Sequence, residues 1–268
     1  MLDGVIVRLA VYGGGRMGEA LVAGLLAAHW AEPAEMSVVE PIAARREELA
    51  KSHPGLRIGA EGKPAEGAVV AVKPGDVEAA CRAIAATGTS RVLSIAAGVP
   101  LSRLENWLGA GVRVVRAMPN TPALIGAGAS AIARGTSATD DDLVWSEGVL
   151  SAVGTVHRVS EGLLDAVTGL SGSGPAYVFL VAEALIEAGV VAGLPRPVSQ
   201  ALTTQTLLGA ARLLAESVEG PEALRAAVTS PGGTTAAGLR ALEARGVRSA
   251  FIEAVLVAAE RSRELGAS

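Results

Sequence analysis

Two stretches carry residue types that could hold an anionic group on bare backbone N–H donors. The first is Gly13-Gly14-Gly15-Arg16-Met17-Gly18, a G-x-G-x-x-G spacing. It follows the apolar, β-branched run "VRLAVYG" and opens "GGGRMGEALVAGLLAAH", a helical composition. Strand, glycine turn, helix is the context that a dinucleotide fingerprint requires. The first glycine makes the tight turn, the second lets the backbone approach a pyrophosphate, and the third lets the helix lie against the strand. The helix start adds unpaired N–H groups and partial positive charge. The second stretch is "SPGGTT", residues 230–235, set in a region rich in Ala, Leu, Arg and Glu. One reading is a helix–helix connection in which Thr234 or Thr235 caps the next helix. The other is a loop that holds bare N–H groups and two hydroxyls up to a ligand.

Further candidates sit at strand ends. Glu40 closes a second strand 22 residues beyond Gly18. A carboxylate there accepts hydrogen bonds from the ribose of NAD and repels a 2′-phosphate. Arg45 and Arg46 follow and could greet that phosphate instead, or all three could be solvated or capping residues. "AVKPG" and "RAMPNTP" both follow apolar strands, where an open α/β sheet lines its ligand crevice. Lys73 and Asn120 are the polar side chains there, and Pro74, Pro119 and Pro122 keep the chain non-helical. "LSGSGPAY" breaks a helical pattern, either as a kink with an N-cap serine or for a ligand. No lysine follows Lys73 and no histidine follows His157. A 3-hydroxyacid dehydrogenase would place a lysine in the C-terminal half, and a 2-hydroxyacid dehydrogenase a histidine for proton transfer. Hydroxyls and backbone amides are the donors left. Cys81, the one cysteine, excludes an internal disulfide and reads as a small buried apolar residue. His29, His53 and His157 make no metal-binding spacing.

The elements that must hold these residues fall into two blocks. Residues 1–158 alternate short apolar strands with amphipathic helices, which implies βαβ units around a doubly wound parallel sheet. "GASAIARG" adds a further strand. Residues 159–268 read as helix only, an all-α domain; in "PAYVFLVAEALIEAGVVAGL" Tyr177, Leu180, Val181, Ala184, Leu185 and Ala188 form one stripe. Aromatics are only 3%, so Leu, Val, Ile, Ala and Gly must build the core through close helix packing. The mean hydropathy of +0.42 points to buried subunit contacts. A net charge of −4 gives no basic face for nucleic acid. No charge-free apolar run reaches the roughly 18 residues of a membrane span. The leading "MLDGVIVRLAVYGGG" lacks the basic segment of a signal peptide, so a cytoplasmic location is expected.

Taken together, the sequence resembles the pyrroline-5-carboxylate reductases along nearly its whole length. The N-terminal half carries the resemblance through Gly13 to Gly18, "VKP" at Val72 to Pro74, "AAGV" at Ala96 to Val99 and "MPNTP" at Met118 to Pro122. The C-terminal half does so through "DAVTGLSGSGPAY" and "LRAAVTSPGGTTAAGLRALE", which are far more specific. The resemblance implies a Rossmann domain, a helical domain that forms an interlocked homodimer, and in many members a decamer. It implies reduction of the cyclic imine 1-pyrroline-5-carboxylate to L-proline with NADPH or NADH. Cofactor contacts would then come from Gly13, Gly15, Arg16, Met17 and Gly18, from Glu40, and from Val72, Lys73, Pro74, Ala97 and Asn120. The substrate would lie on Ser230, Gly232, Gly233, Thr234 and Thr235, contributed across the dimer, with its carboxylate on backbone N–H groups and Thr235 on the ring nitrogen. Arg16 stands where many members have Asn, and Glu40 replaces the Asn or Ser typical of NADPH-preferring members. A 3-hydroxyacid dehydrogenase-like enzyme and a non-catalytic NAD(P)H sensor are the alternatives.

Overall fold

The computed structural model describes residues 7–267. The leading segment Met1–Ile6, on which part of the signal-peptide expectation rests, lies outside them. By packing, the chain forms two compact units. One runs up to Ser173 and takes in the chain from Val257 onward; the other is Gly174–Leu256.

The first unit opens with β1 (Leu9–Tyr12), α1 (Arg16–Ala27), β2 (Met36–Val39), α2 (Ala43–Ser52) and β3 (Arg57–Gly59). It continues through β4 (Gly67–Val70), α3 (Val77–Thr87), β5 (Arg91–Ser94), α4 (Leu101–Leu108) and β6 (Arg113–Met118). β7 (Gly128–Arg134), α5 (Asp140–Leu150), β8 (Gly154–Arg158) and α6 (Leu164–Val167) follow. The eight strands form one sheet in the order β3-β2-β1-β4-β5-β6-β7-β8. Period-two alternation sorts β1 onto both faces. Leu9 and Val11 join a core with Leu21 and Leu25 of α1 and Leu150 of α5. Ala10 and Tyr12 join a second core with Ile84 of α3 and Leu104 of α4. Apolar residues on both faces of a strand demand helices on both sides, which is the doubly wound arrangement expected.

All strand pairs are parallel except β6 with β7. The link between those two holds only a 3₁₀ turn, Thr121–Ile125, too short for the crossover that parallel pairing needs. Burial of Cys81 pushes its thiol up to about 12, so it stays neutral and serves as apolar packing. Asp142 ties α5 to the sheet: it accepts from Arg91 Nε at 2.7 Å and lies 3.3 Å from Arg113. Burial raises its pKa, but hydrogen bonds from Thr139 and these guanidiniums outweigh that and hold it below the usual carboxylate value.

Residues 161–172 are helical, yet they pack with the sheet, because Leu164 is buried with Ala131 and Ala133 of β7. The "GLSG" stretch does not break the helix. It forms a π-helical turn, Thr168–Gly172, in which Ser173 N–H reaches back to Thr168 C=O at 2.8 Å. The Ser171 hydroxyl bonds back to Val167 C=O, and Ser173 stands directly before α7.

In the second unit α7 (Gly174–Val191) packs on α8 (Arg196–Glu216), followed by α9 (Pro221–Ala227), α10 (Thr234–Ala244) and the start of α11 (Val247–Ala267). The α7–α8 contact is made by small groups: Ser199 bonds Ile186 C=O at 2.8 Å, and a methyl at Gly189 would collide with Ser199. The predicted apolar stripe is not a buried one. Leu180 is 66% exposed and Leu185 44% exposed, and none of the apolar residues from Gly174 to Leu256 is buried within this chain. On α8 the two buried residues are Ser199 and Thr203, while Leu202, Leu208 and Leu213 face outward. The helical run Glu161–Val191 is, by length and composition, apolar enough to cross a membrane, although it is not free of charges.

Candidate active site

The strand order reverses at β1, which pairs with β2 on one side and β4 on the other. Such a reversal opens a crevice beyond the strands' carboxyl ends. The glycine loop leaves β1 at that point, and residues 71–74 leave neighbouring β4. Glu40 follows β2, Ala97 follows β5 and Asn120 follows β6, so the N-terminal candidates gather along five adjacent parallel strand ends.

The three fingerprint glycines separate by what a side chain would meet. Gly13 has φ +108°, and a methyl there would lie 2.6 Å from Ala71 carbonyl oxygen. At Gly18 a methyl would collide with Gly13 carbonyl oxygen, so this glycine is what lets α1 lie against the strand. Gly15 is different: it is exposed, has φ −69°, and a methyl there would meet nothing within 4 Å. The protein itself does not require glycine at this position, and the open space in front of it fits a pyrophosphate approaching the backbone. Gly15 is also the N-cap of α1 with no side-chain cap, and the first helical bond is Glu19 N–H to Gly15 C=O at 2.9 Å. The N–H groups of Arg16, Met17 and Gly18 thus have no intrahelical acceptor.

Glu40 is buried, and both carboxylate oxygens accept backbone N–H groups: Gly14 at 2.9 Å and Ile42 at 2.9 Å. Arg45 Nε donates to Gly14 C=O at 2.7 Å, and its terminal nitrogens pair with Glu19 and Glu48, which raise its pKa. Arg46 donates to the carbonyls of Glu40 and Pro41. Both arginines are therefore engaged within the fold. The sequence reading missed these links to Gly14, since nothing in the spacing shows which backbone groups Glu40 and Arg45 meet.

Val72 is half-buried beside Gly13, and Lys73 and Pro74 are exposed at the start of a 3₁₀ turn. Ala97 is exposed. Asn120 is held at both ends: its amide donates to Ser171 C=O at 3.0 Å and accepts from Ala129 N–H at 2.8 Å. It joins the end of β6 to the π turn.

In the second unit the Ser230–Gly233 segment is a β-turn. Gly233 N–H donates to Ser230 C=O at 3.0 Å, Pro231 sits at the second position, and Gly232 has φ +69° at the third, the pattern of a type II turn. Gly233 is the N-cap of α10, without a side-chain cap. This corrects the capping alternative: Thr234 and Thr235 are the first two helical residues, and among the described residues no partner holds either hydroxyl. A methyl at Gly233 would collide with Ser230. The turn thus presents uncapped N–H groups with two threonine hydroxyls beside them, a small cradle for a carboxylate.

Two family models match the chain. The family model "Pyrroline-5-carboxylate reductase dimerisation" matches residues 161–265, and "NADP oxidoreductase coenzyme F420-dependent" matches residues 8–98. A pyrroline-5-carboxylate reductase of Synechocystis is 46% identical over 266 residues, 97% of this chain and 98% of that one. The chain belongs to the pyrroline-5-carboxylate reductase family. The Methanosarcina acetivorans reductase is 41% identical over 97% of this chain and 98% of its own. Among solved structures, the Coxiella burnetii pyrroline-5-carboxylate reductase superposes with a TM-score of 0.91 at 36% identity, covering 97% of this chain and 98% of that one. The Plasmodium falciparum pyrroline carboxylate reductase, solved with NADP bound, gives 0.84 at 30%, with the same coverage. The resemblance drawn from the motifs and the two-part fold class is borne out.

Proposed function

We propose that this member of the family reduces 1-pyrroline-5-carboxylate to L-proline, the last step of proline synthesis, in the cytoplasm. The observation that carries the reading is the Ser230–Thr235 turn, whose N–H groups and Thr235 hydroxyl are not consumed by capping. The uncapped N–H groups at the start of α10, those of Thr234 and Thr235, take the substrate carboxylate with Gly232 beside them, because the Gly233 N–H is already spent on Ser230 C=O. The Thr235 hydroxyl oxygen accepts from the protonated ring nitrogen and so orients the imine. A bound nicotinamide supplies the hydride that the imine carbon receives. No strong side-chain acid is needed, because the nitrogen arrives already protonated and leaves as an amine. Positioning and fixed dipoles supply the rate. The glycine loop, with Arg16, Met17 and the Val72–Pro74 and Ala97 strand ends, holds the dinucleotide. The test is cofactor oxidation by purified protein given the imine with NADH and NADPH in parallel. Binding without oxidation of either would move the assignment to a nucleotide sensor.

For the cofactor, we read Glu40 as favouring NADH. Its carboxylate closes β2 beside the glycine loop, where a 2′-phosphate would meet like charge. In Glu40→Ser the ratio of kcat/KM for NADPH over NADH should rise by about tenfold, equivalent to ~1.4 kcal/mol. Steady-state kinetics with both cofactors measures it; an unmoved ratio would remove Glu40 as discriminator.

The second unit supports a homodimer. Helices with no buried apolar residue of their own cannot offset the entropy of ordering them, so a second copy must supply the other half of their core. That copy, rather than lipid, covers the apolar run of α7. It also brings the Ser230–Thr235 turn of one subunit to the dinucleotide of the other. Closure of five dimers into a decamer is the larger assembly that the resemblance implies. Sedimentation equilibrium should find no monomer at micromolar concentration; a folded monomer would contradict the reading.

A further inference from the structure

The Gly14 peptide is held from both sides by residues of the β2–α2 segment. Its N–H donates to Glu40 Oε2 at 2.9 Å, and its C=O accepts from Arg45 Nε at 2.7 Å. Gly14 lies between Gly13, which the fold fixes, and Gly15, which it does not. A methyl at Gly14 would also press on Leu49 and Glu40, so the peptide sits flush against α2. The same Arg45 guanidinium reaches Glu19 in the first turn of α1, and His53 Nε2, just past the end of α2, approaches Glu19 at 3.5 Å. One planar cation thereby joins the glycine loop, α1 and α2, a geometry suited to arginine's fixed fork of donors.

We propose that Arg45 is a positioning residue for dinucleotide binding: it fixes the Gly14 carbonyl opposite Glu40, aims the following amides of α1 outward, and does not read a 2′-phosphate. The inference rests on the reading that the glycine loop carries the pyrophosphate. The two fail differently, since failure of that reading appears as absent nucleotide binding in the unaltered protein. A residue that reads the 2′-phosphate acts on NADPH alone, whereas a residue that holds the loop acts on every ligand carrying the pyrophosphate.

The experiment measures Kd for NADH, NADPH and ADP by titration calorimetry on Arg45→Ala, Arg45→Lys and Glu19→Gln. Arg45→Ala should weaken all three by a similar factor, about tenfold, the scale of losing a charge-assisted hydrogen bond. Arg45→Lys should recover part of the loss, because an ammonium can reach one acceptor but not reproduce the fork. At saturating cofactor kcat should stay within about twofold while the cofactor KM rises. If Arg45→Ala does not fold, Glu19→Gln carries the test, since it removes the charge that anchors the guanidinium to α1 and should weaken all three ligands in parallel. Loss confined to NADPH would overturn the proposal in favour of phosphate reading. Unchanged affinity for all three would overturn it as well.

Discussion

Gly15→Val should abolish dinucleotide binding in a protein that folds normally. Gly15 has extended backbone that any residue adopts, and its missing side chain faces open space. Valine there should cost about 1 kcal/mol, the scale of replacing a favoured N-cap residue by an apolar one, which leaves the protein folded. Its two methyls would occupy the volume through which a pyrophosphate reaches the unpaired N–H groups of Arg16 to Gly18. Losing charge-assisted bonds of that kind should lower affinity by at least about 100-fold. Gly18→Val makes the contrast. It should destabilise the fold, because even a methyl collides with Gly13 carbonyl oxygen. Thermal melting and calorimetric titration on the two variants separate the effects. A Gly15→Val protein that binds NADH unchanged would show that the dinucleotide lies elsewhere.

Thr235→Ala should have the opposite signature, with binding of the cofactor intact and turnover lost. Thr235 is the second residue of α10, and its hydroxyl has no task within the described chain. Removing it leaves the turn itself in place, because Pro231, Gly232 and the Gly233-to-Ser230 bond make that turn. The expected loss is about 100-fold in kcat/KM for the imine, the scale of deleting one group that stabilises developing charge. Kd for NADH should move less than twofold. Thr235→Ser keeps the oxygen and should recover most of the activity. Equal losses in turnover and cofactor affinity would refute the role.

Much of this was legible from residue order, for identifiable reasons. β1, β4, β5 and β6 are apolar runs bounded by turn residues, and the glycine fingerprint has a strict strand–turn–helix context. β3 and β8 went unseen because "RIG" is three residues long and "GTVHR" is a polar, half-exposed edge strand. α5 was also missed, although Thr139 and Asp142 form a capping box at its start. The π turn at Thr168–Gly172 reads as a helix break because Gly and Ser are weak helix formers. Back-bonding by Thr168 and Ser171, and the close fit of Gly172 against Met118, keep it helical. At the proposed site, residue types pointed to particular loops but not to their internal bonding. That Glu40 spends both oxygens on backbone, that Arg45 grips Gly14, and that Asn120 is bound at both ends are facts of three-dimensional register. The apolar stripe of α7 shows the same limit: periodicity finds an apolar face, not whether the same chain covers it.

The central claim is hydride transfer from nicotinamide to the imine carbon of 1-pyrroline-5-carboxylate. Its most direct measurement is the fate of deuterium from cofactor labelled at nicotinamide C4, followed by mass spectrometry and NMR of the product. The account predicts L-proline carrying one deuterium on the ring carbon that had been doubly bonded to nitrogen, formed in step with cofactor oxidation. Unlabelled proline, or bound cofactor that keeps its label in the presence of the imine, would contradict it.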